Sequence, residues 1–162
     1  MNDNRVSLIV SLFERHRNNE NAVPMEKYMR NQFSFLGIKS PLRSQLMKQF
    51  YNETGILNEP FSNEFVLSLW DVKEREYQLA ALDYINRSLK KLDEEHISLM
   101  EKLITTKSWW DTVDNLAQKA VGKIAKDNSA IIDDRIEGWA YGNHLWPKNF
   151  SFIPTEIQRR YR

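Results

Sequence analysis

Cysteine is absent from the chain. That excludes disulfides and thiol catalysis and suits a reducing cytosol, so a cytoplasmic protein is expected. Histidine occurs three times, as His16, His96 and His144, scattered and without ligand spacing; no zinc site, and no other metal or cofactor, is expected. Long apolar runs are missing too. The start MNDNRVSLIVSLFERHR places Arg5 and Glu14 around a short apolar stretch, so it reads as neither signal peptide nor membrane span. Glycine and proline number only five each, and the periodic segments lack the alternation of strands, so nearly everything reads as helix. A net charge of +1 is too small for a bulk argument about nucleic acid.

What remains is an ordinary soluble composition, 41% hydrophobic and 28% charged, in 162 residues that suit one domain with a buried core. The charge is unevenly spread. Lys27, Arg30, Lys39, Arg43 and Lys48 face the single Glu26 between Pro24 and Phe50, and the stretch after it is acidic to Tyr77. Such alternation is either a set of solvated helix faces or, where the cations converge, a phosphate-binding strip.

The residue pattern predicts eight helices. Val6, Ile9, Val10 and Phe13 mark the first. Pro24 suits the first turn of a second that ends near Gln32, and Phe33–Lys39 follows as an irregular piece in which Gly37 is free to be left-handed. Ser40-Pro41 caps and opens the third, and Glu59-Pro60 opens the fourth. The fifth runs from Glu74 to Leu92, the sixth follows Asp93 as N-cap, the seventh spans Ser108–Lys126 and the eighth Ser129–Trp139. Junctions near Trp70, Ile104 and Trp139 recur at about 35 residues, a period of helical solenoids built from antiparallel helix pairs.

One stretch, Thr105-Thr106-Lys107-Ser108-Trp109-Trp110-Asp111-Thr112-Val113-Asp114-Asn115, combines adjacent indoles with two carboxylates. Ser108 followed by Asp111 is a capping-box pattern that puts Trp109 and Trp110 in the first turn. Trp109, Val113, Leu116, Ala120 and Ile124 then form an apolar stripe toward a core. Trp110 stands about 100° round from Trp109, with Lys107 and Asp114 as its neighbours at helical spacing. An indole with a carboxylate one turn away, off the stripe, has the make-up of a site. On spacing alone Trp110 is equally packing or binding, Asp114 a solvated carboxylate, and Tyr28 half-buried packing. Lys39, Ser40 and Arg43 at a helix N-terminus are a phosphate anchor or a surface turn.

Three segments in order carry a resemblance: Tyr28-Met29-Arg30-Asn31-Gln32-Phe33-Ser34-Phe35-Leu36-Gly37-Ile38, the run from Asp71 to Asp83, and Lys107-Ser108-Trp109-Trp110-Asp111-Thr112-Val113-Asp114. From about residue 5 to Trp146 the chain resembles the AlkD family of bacterial DNA alkylation repair proteins. The resemblance implies an all-α fold of HEAT-like repeats, antiparallel helix pairs stacked in a curved solenoid. It implies a DNA glycosylase that hydrolyses the N-glycosidic bond of cationic N3- or N7-alkylated purines in duplex DNA without deep base flipping. The partner it implies is double-stranded DNA with alkylated bases. By motif, Trp110 corresponds to the tryptophan against the sugar of the damaged nucleotide, Asp114 to the catalytic carboxylate, and Tyr28 to an aromatic of the same cleft. Lys39, Ser40, Arg43 and Lys107 are the DNA-binding candidates beside them.

After Trp146 the pattern departs from the family. The position where an arginine is expected falls near Asn149, no tryptophan follows Trp146, and Pro154 interrupts any helix begun at Pro147. A repeat domain over residues 1–146 and a divergent tail over 147–162 are therefore expected, with the C-terminal repeats missing. Beside the glycosylase stand two other readings, a non-catalytic HEAT-like module binding DNA or protein through the same face, and an inactive truncated form.

Overall fold

A computed structural model describes residues 4–127. The expected eighth helix and the tail 147–162 lie outside the described residues. Among those residues every regular element is a helix, so the all-α expectation holds, and no helix is long and apolar enough to cross a membrane. The chain divides into two compact units, Met1–Arg87 and Ser88–Arg162.

The first unit contains α1 (Asn4–Glu14), α2 (Asn19–Tyr28), α3 (Ser40–Thr54), α4 (Asn63–Asp71) and α5 (Arg75–Arg87). Its core is aromatic. Phe13 of α1 stacks on Tyr77 of α5 with ring centroids 5.5 Å apart, and Phe50 of α3 stacks on Phe65 of α4 at 5.8 Å. Tyr84 meets Phe65 edge-on at 5.0 Å, and its hydroxyl accepts the Ser62 amide at 3.0 Å. Gln78 satisfies the end of α4, its Nε2 donating to the carbonyls of Leu69, Trp70 and Val72 at 3.2, 3.3 and 2.7 Å. One buried side-chain amide thus serves the carbonyls at the end of that helix.

Several helix starts differ from the sequence expectation, each for a local reason. α2 begins at Asn19 because the Asn18 side chain accepts the Asn21 amide at 3.2 Å. Pro24 therefore sits inside α2, not in its first turn, and the Glu20 carbonyl loses its partner one turn on. The helix stops at Tyr28 and not near Gln32, because Arg30 and Asn31 turn left-handed. Ser40 is the first residue of α3; the cap is extended Lys39, with no side-chain cap bond. α4 starts at Asn63, after Ser62, whose hydroxyl accepts the Phe65 amide at 3.1 Å, so Glu59-Pro60 lies before it. α5 ends at Arg87, followed by one 3-10 turn, Leu89–Lys91.

In the second unit a 3-10 turn, Glu94–His96, leads into α6 (Ile97–Thr105); Asp93, expected as the N-cap of the sixth helix, caps that turn instead, with His96 completing the capping box and standing as the N-cap of α6. Then comes α7 (Trp110–Asn115), a π-helical stretch Leu116–Val121, and α8 (Gly122–Asp127). The π stretch packs on α6. α4 and α6 begin at Asn63 and Ile97, α5 and α7 at Arg75 and Trp110; both steps are about 35 residues, the period read from the sequence.

Candidate active site

The stretch Thr105–Asn115 forms a turn and the first part of a helix. Ser108 does not cap it. Its hydroxyl donates instead to the Ile104 carbonyl at the end of α6. Lys107 is left-handed at φ 54°, and Trp109, extended at φ −159° and ψ 165°, is the N-cap of α7 without a side-chain cap bond. Its carbonyl accepts the amides of Thr112 and Val113 at 3.2 and 3.0 Å. Lys107 therefore stands in the turn before the helix and not one helical turn above Trp110.

The partition of the two indoles survives this change of cap. Trp109 is half-buried, and its Nε1 is enclosed without a hydrogen-bond partner among the described residues. Trp110 is 45% exposed. Asp114 lies one turn beyond it, and residues at i and i+4 have Cβ atoms about 5–6 Å apart. Asp114 is half-buried, and desolvation by burial raises its pKa above the ordinary carboxylate value. An exposed indole and a partly desolvated carboxylate share one side of α7.

The opposite side is core. Thr112 and Val113, Leu116 and Ala117, Ala120 and Val121, Ile124 and Ala125 are all buried. These pairs recur every four residues, and a four-residue step drifts about 40° in a 3.6-residue helix. Three such steps would wrap the stripe a third of the way round. The π stretch, with more residues per turn, takes up that drift. It keeps one face of the segment packed while Trp110 and Asp114 stay off it.

The other candidate residues belong to the first unit. Tyr28 ends α2 and is 72% exposed, so the half-buried packing role does not apply to it. Lys39 and Ser40 are exposed and Arg43 is half-buried; the Arg43 amide donates to the Lys39 carbonyl at 2.9 Å, which puts all three in the opening turn of α3. Among the described residues no group of three His, Asp or Glu side chains is arranged to hold a metal ion.

The chain between Tyr28 and α3 is held by a carboxylate that spacing did not single out. Glu76, fully buried in α5, accepts the Leu36 amide on Oε1 at 2.9 Å, and the Gly37 and Ile38 amides on Oε2 at 2.8 and 3.0 Å. Glu26 accepts the Phe35 amide at 3.0 Å, and the Asn18 amide donates to the Leu36 carbonyl at 2.9 Å. The Arg75 guanidinium stacks on Phe33, 3.8 Å from the ring centroid. Two of the three family-like segments are thereby bound to each other. The readable signal was Glu76 itself, one and two turns ahead of the buried Ala80 and Tyr84, a carboxylate extending an apolar stripe.

Comparison with known proteins bears on the family and the fold. The sequence profile of a family described as DNA alkylation repair enzyme matches residues 9–155. A solved structure of a predicted DNA alkylation repair enzyme from Enterococcus faecalis is similar in fold, with TM-score 0.68 and 22% identity over 89% of this chain and 71% of that one. A comparison with curated proteins finds no match.

Proposed function

Because the chain belongs to the DNA alkylation repair enzyme family, we propose that it is an AlkD-like DNA glycosylase that removes cationic N3- and N7-alkylated purines from duplex DNA. The observation that carries this reading is the pairing of exposed Trp110 with half-buried Asp114 on one side of α7. A purine alkylated at N3 or N7 is positively charged, so its glycosidic bond is already weakened. As that bond breaks, its electron pair leaves with the base, and positive charge gathers on the sugar. The Asp114 carboxylate stabilises that charge and takes a proton from the water that adds at the anomeric carbon. Partial desolvation strengthens both actions, since a poorly hydrated carboxylate interacts more strongly with a nearby cation. The Trp110 face adds cation–π attraction of roughly 0.5–2 kcal/mol.

Tyr28 and the opening turn of α3 contact the duplex from the first unit, and Lys107 from the second. The α3 N-terminus has no side-chain cap, so its amides, with Lys39, Ser40 and Arg43, suit a phosphate. The helix pairs are read as HEAT-like repeats, supported by the step of about 35 residues. The test is release of free base from duplex DNA containing 7-methylguanine. The native chain releases it and Asp114→Asn does not. Equal release by the two proteins sinks the assignment.

A further inference from the structure

Three non-glycine residues among those described have positive φ: Arg30 at 55°, Asn31 at 57° and Lys107 at 54°. Asparagine tolerates this region, but long side chains rarely occupy it. Both remaining residues are cations, and each lies within three residues of an exposed aromatic, Arg30 after Tyr28 and Lys107 before Trp110.

Arg30 is the clearer case. The Asn31 amide donates to the Glu26 carbonyl at 2.8 Å and the Arg30 amide to the Lys27 carbonyl at 2.9 Å, the paired bonds of a Schellman motif with Arg30 at the position glycine usually fills. The chain uses glycine for this purpose at the end of α3. There Gly55 has φ 66° with nothing within 4 Å of where a Cβ would be, so its conformation and not its space requires glycine. At the end of α2 the same geometry is imposed on an exposed arginine.

We propose that Arg30 is a DNA-phosphate contact beside Tyr28, retained at a left-handed position because the guanidinium, not the turn, is what the site requires. The inference rests on the reading of duplex DNA as substrate. Its rival is a cation placed to favour the C-terminal dipole of α2. The two differ in what Arg30→Gly does. Glycine relieves the left-handed strain and leaves the turn intact, so a phosphate contact predicts weaker DNA binding without loss of stability. A dipole role predicts the reverse.

The experiment measures binding of the full chain to a labelled undamaged duplex across a salt series, together with thermal melting, for the native protein, Arg30→Gly and Arg30→Lys. The expected result is a melting temperature for Arg30→Gly no lower than native. The slope of log affinity against log salt should be smaller by about one for Arg30→Gly, and native-like for Arg30→Lys. An unchanged slope in Arg30→Gly overturns the contact, and a lower melting temperature overturns the claim that glycine suits the turn better. Native protein that shows no salt-dependent binding sinks the DNA reading itself, and Arg30 with it.

Discussion

The Asn18 carbonyl oxygen lies 1.8 Å from where a Cβ on Gly37 would stand, and Gly37 has φ 97°. Space and conformation both demand glycine there. The Asn21 side-chain amide, which donates to the Gly37 carbonyl at 3.3 Å, closes the same contact from the other side. Gly37→Ala is expected to destabilise the first unit by roughly 2–5 kcal/mol. Gly55→Ala, left-handed but unobstructed, is expected to lose only about 1–2 kcal/mol. Chemical denaturation of the two variants checks the ordering, and comparable losses would refute the close approach.

Glu76→Ala leaves three buried amides without an acceptor, a loss of about 3–5 kcal/mol. Glu76→Gln keeps one acceptor oxygen for two of them and turns a donor toward the third, so it is expected to fall between native and alanine. Denaturant midpoints with unchanged slopes would show this series. An alanine variant within 1 kcal/mol of native would show that the loop holds without the carboxylate.

On the proposed function, Asp114 links pH to both stability and turnover. Its raised pKa means that the folded chain holds this proton more tightly than the unfolded chain does. The stability associated with the protonated group is present below the ordinary value of 3.8 and is lost as pH rises through the raised value. Asp114→Asn should therefore melt no lower than native at neutral pH, with any gain shrinking in acid. Base release should rise as the carboxylate ionises and be absent from the asparagine variant at every pH. A variant that melts well below native would give Asp114 a structural role instead.

The four-residue repeat and the π stretch make the helix tolerant of one deletion. Removing exposed Gln118 brings the buried positions on either side to three- and four-residue spacing, which a regular α-helix keeps on one face. The deletion is expected to preserve a cooperative melt. Deleting Ala81 from the interior of α5 shifts every later buried residue by about 100° and should abolish the transition. Circular dichroism of the two variants distinguishes them.

Much of this was legible in the residues. Apolar spacing gave the stripe from Val113 to Ile124, and it separated Trp110 from the core, because burial follows helical period directly. Cap identity was less legible. Ser108 and Ser40 have the right side chains for caps. Yet the Ser108 hydroxyl is engaged by the Ile104 carbonyl, and Lys39 takes the extended conformation ahead of Ser40. Asn18 and Ser62 won those roles elsewhere through hydrogen bonds that neighbouring serines and prolines did not announce. The partners of Glu76 were illegible for another reason: they are backbone amides about forty residues back in the chain, and backbone groups carry no sequence signal, even though a carboxylate on an apolar stripe marks the residue itself.

The Leu36, Gly37 and Ile38 amides belong to an irregular segment, where protons ordinarily trade with water in brief local openings. Here each is bound to a side chain of α5. Their exchange requires α5 to separate from the segment. On the timescale of proton exchange this loop is part of the helix it touches, and it opens only when that helix does.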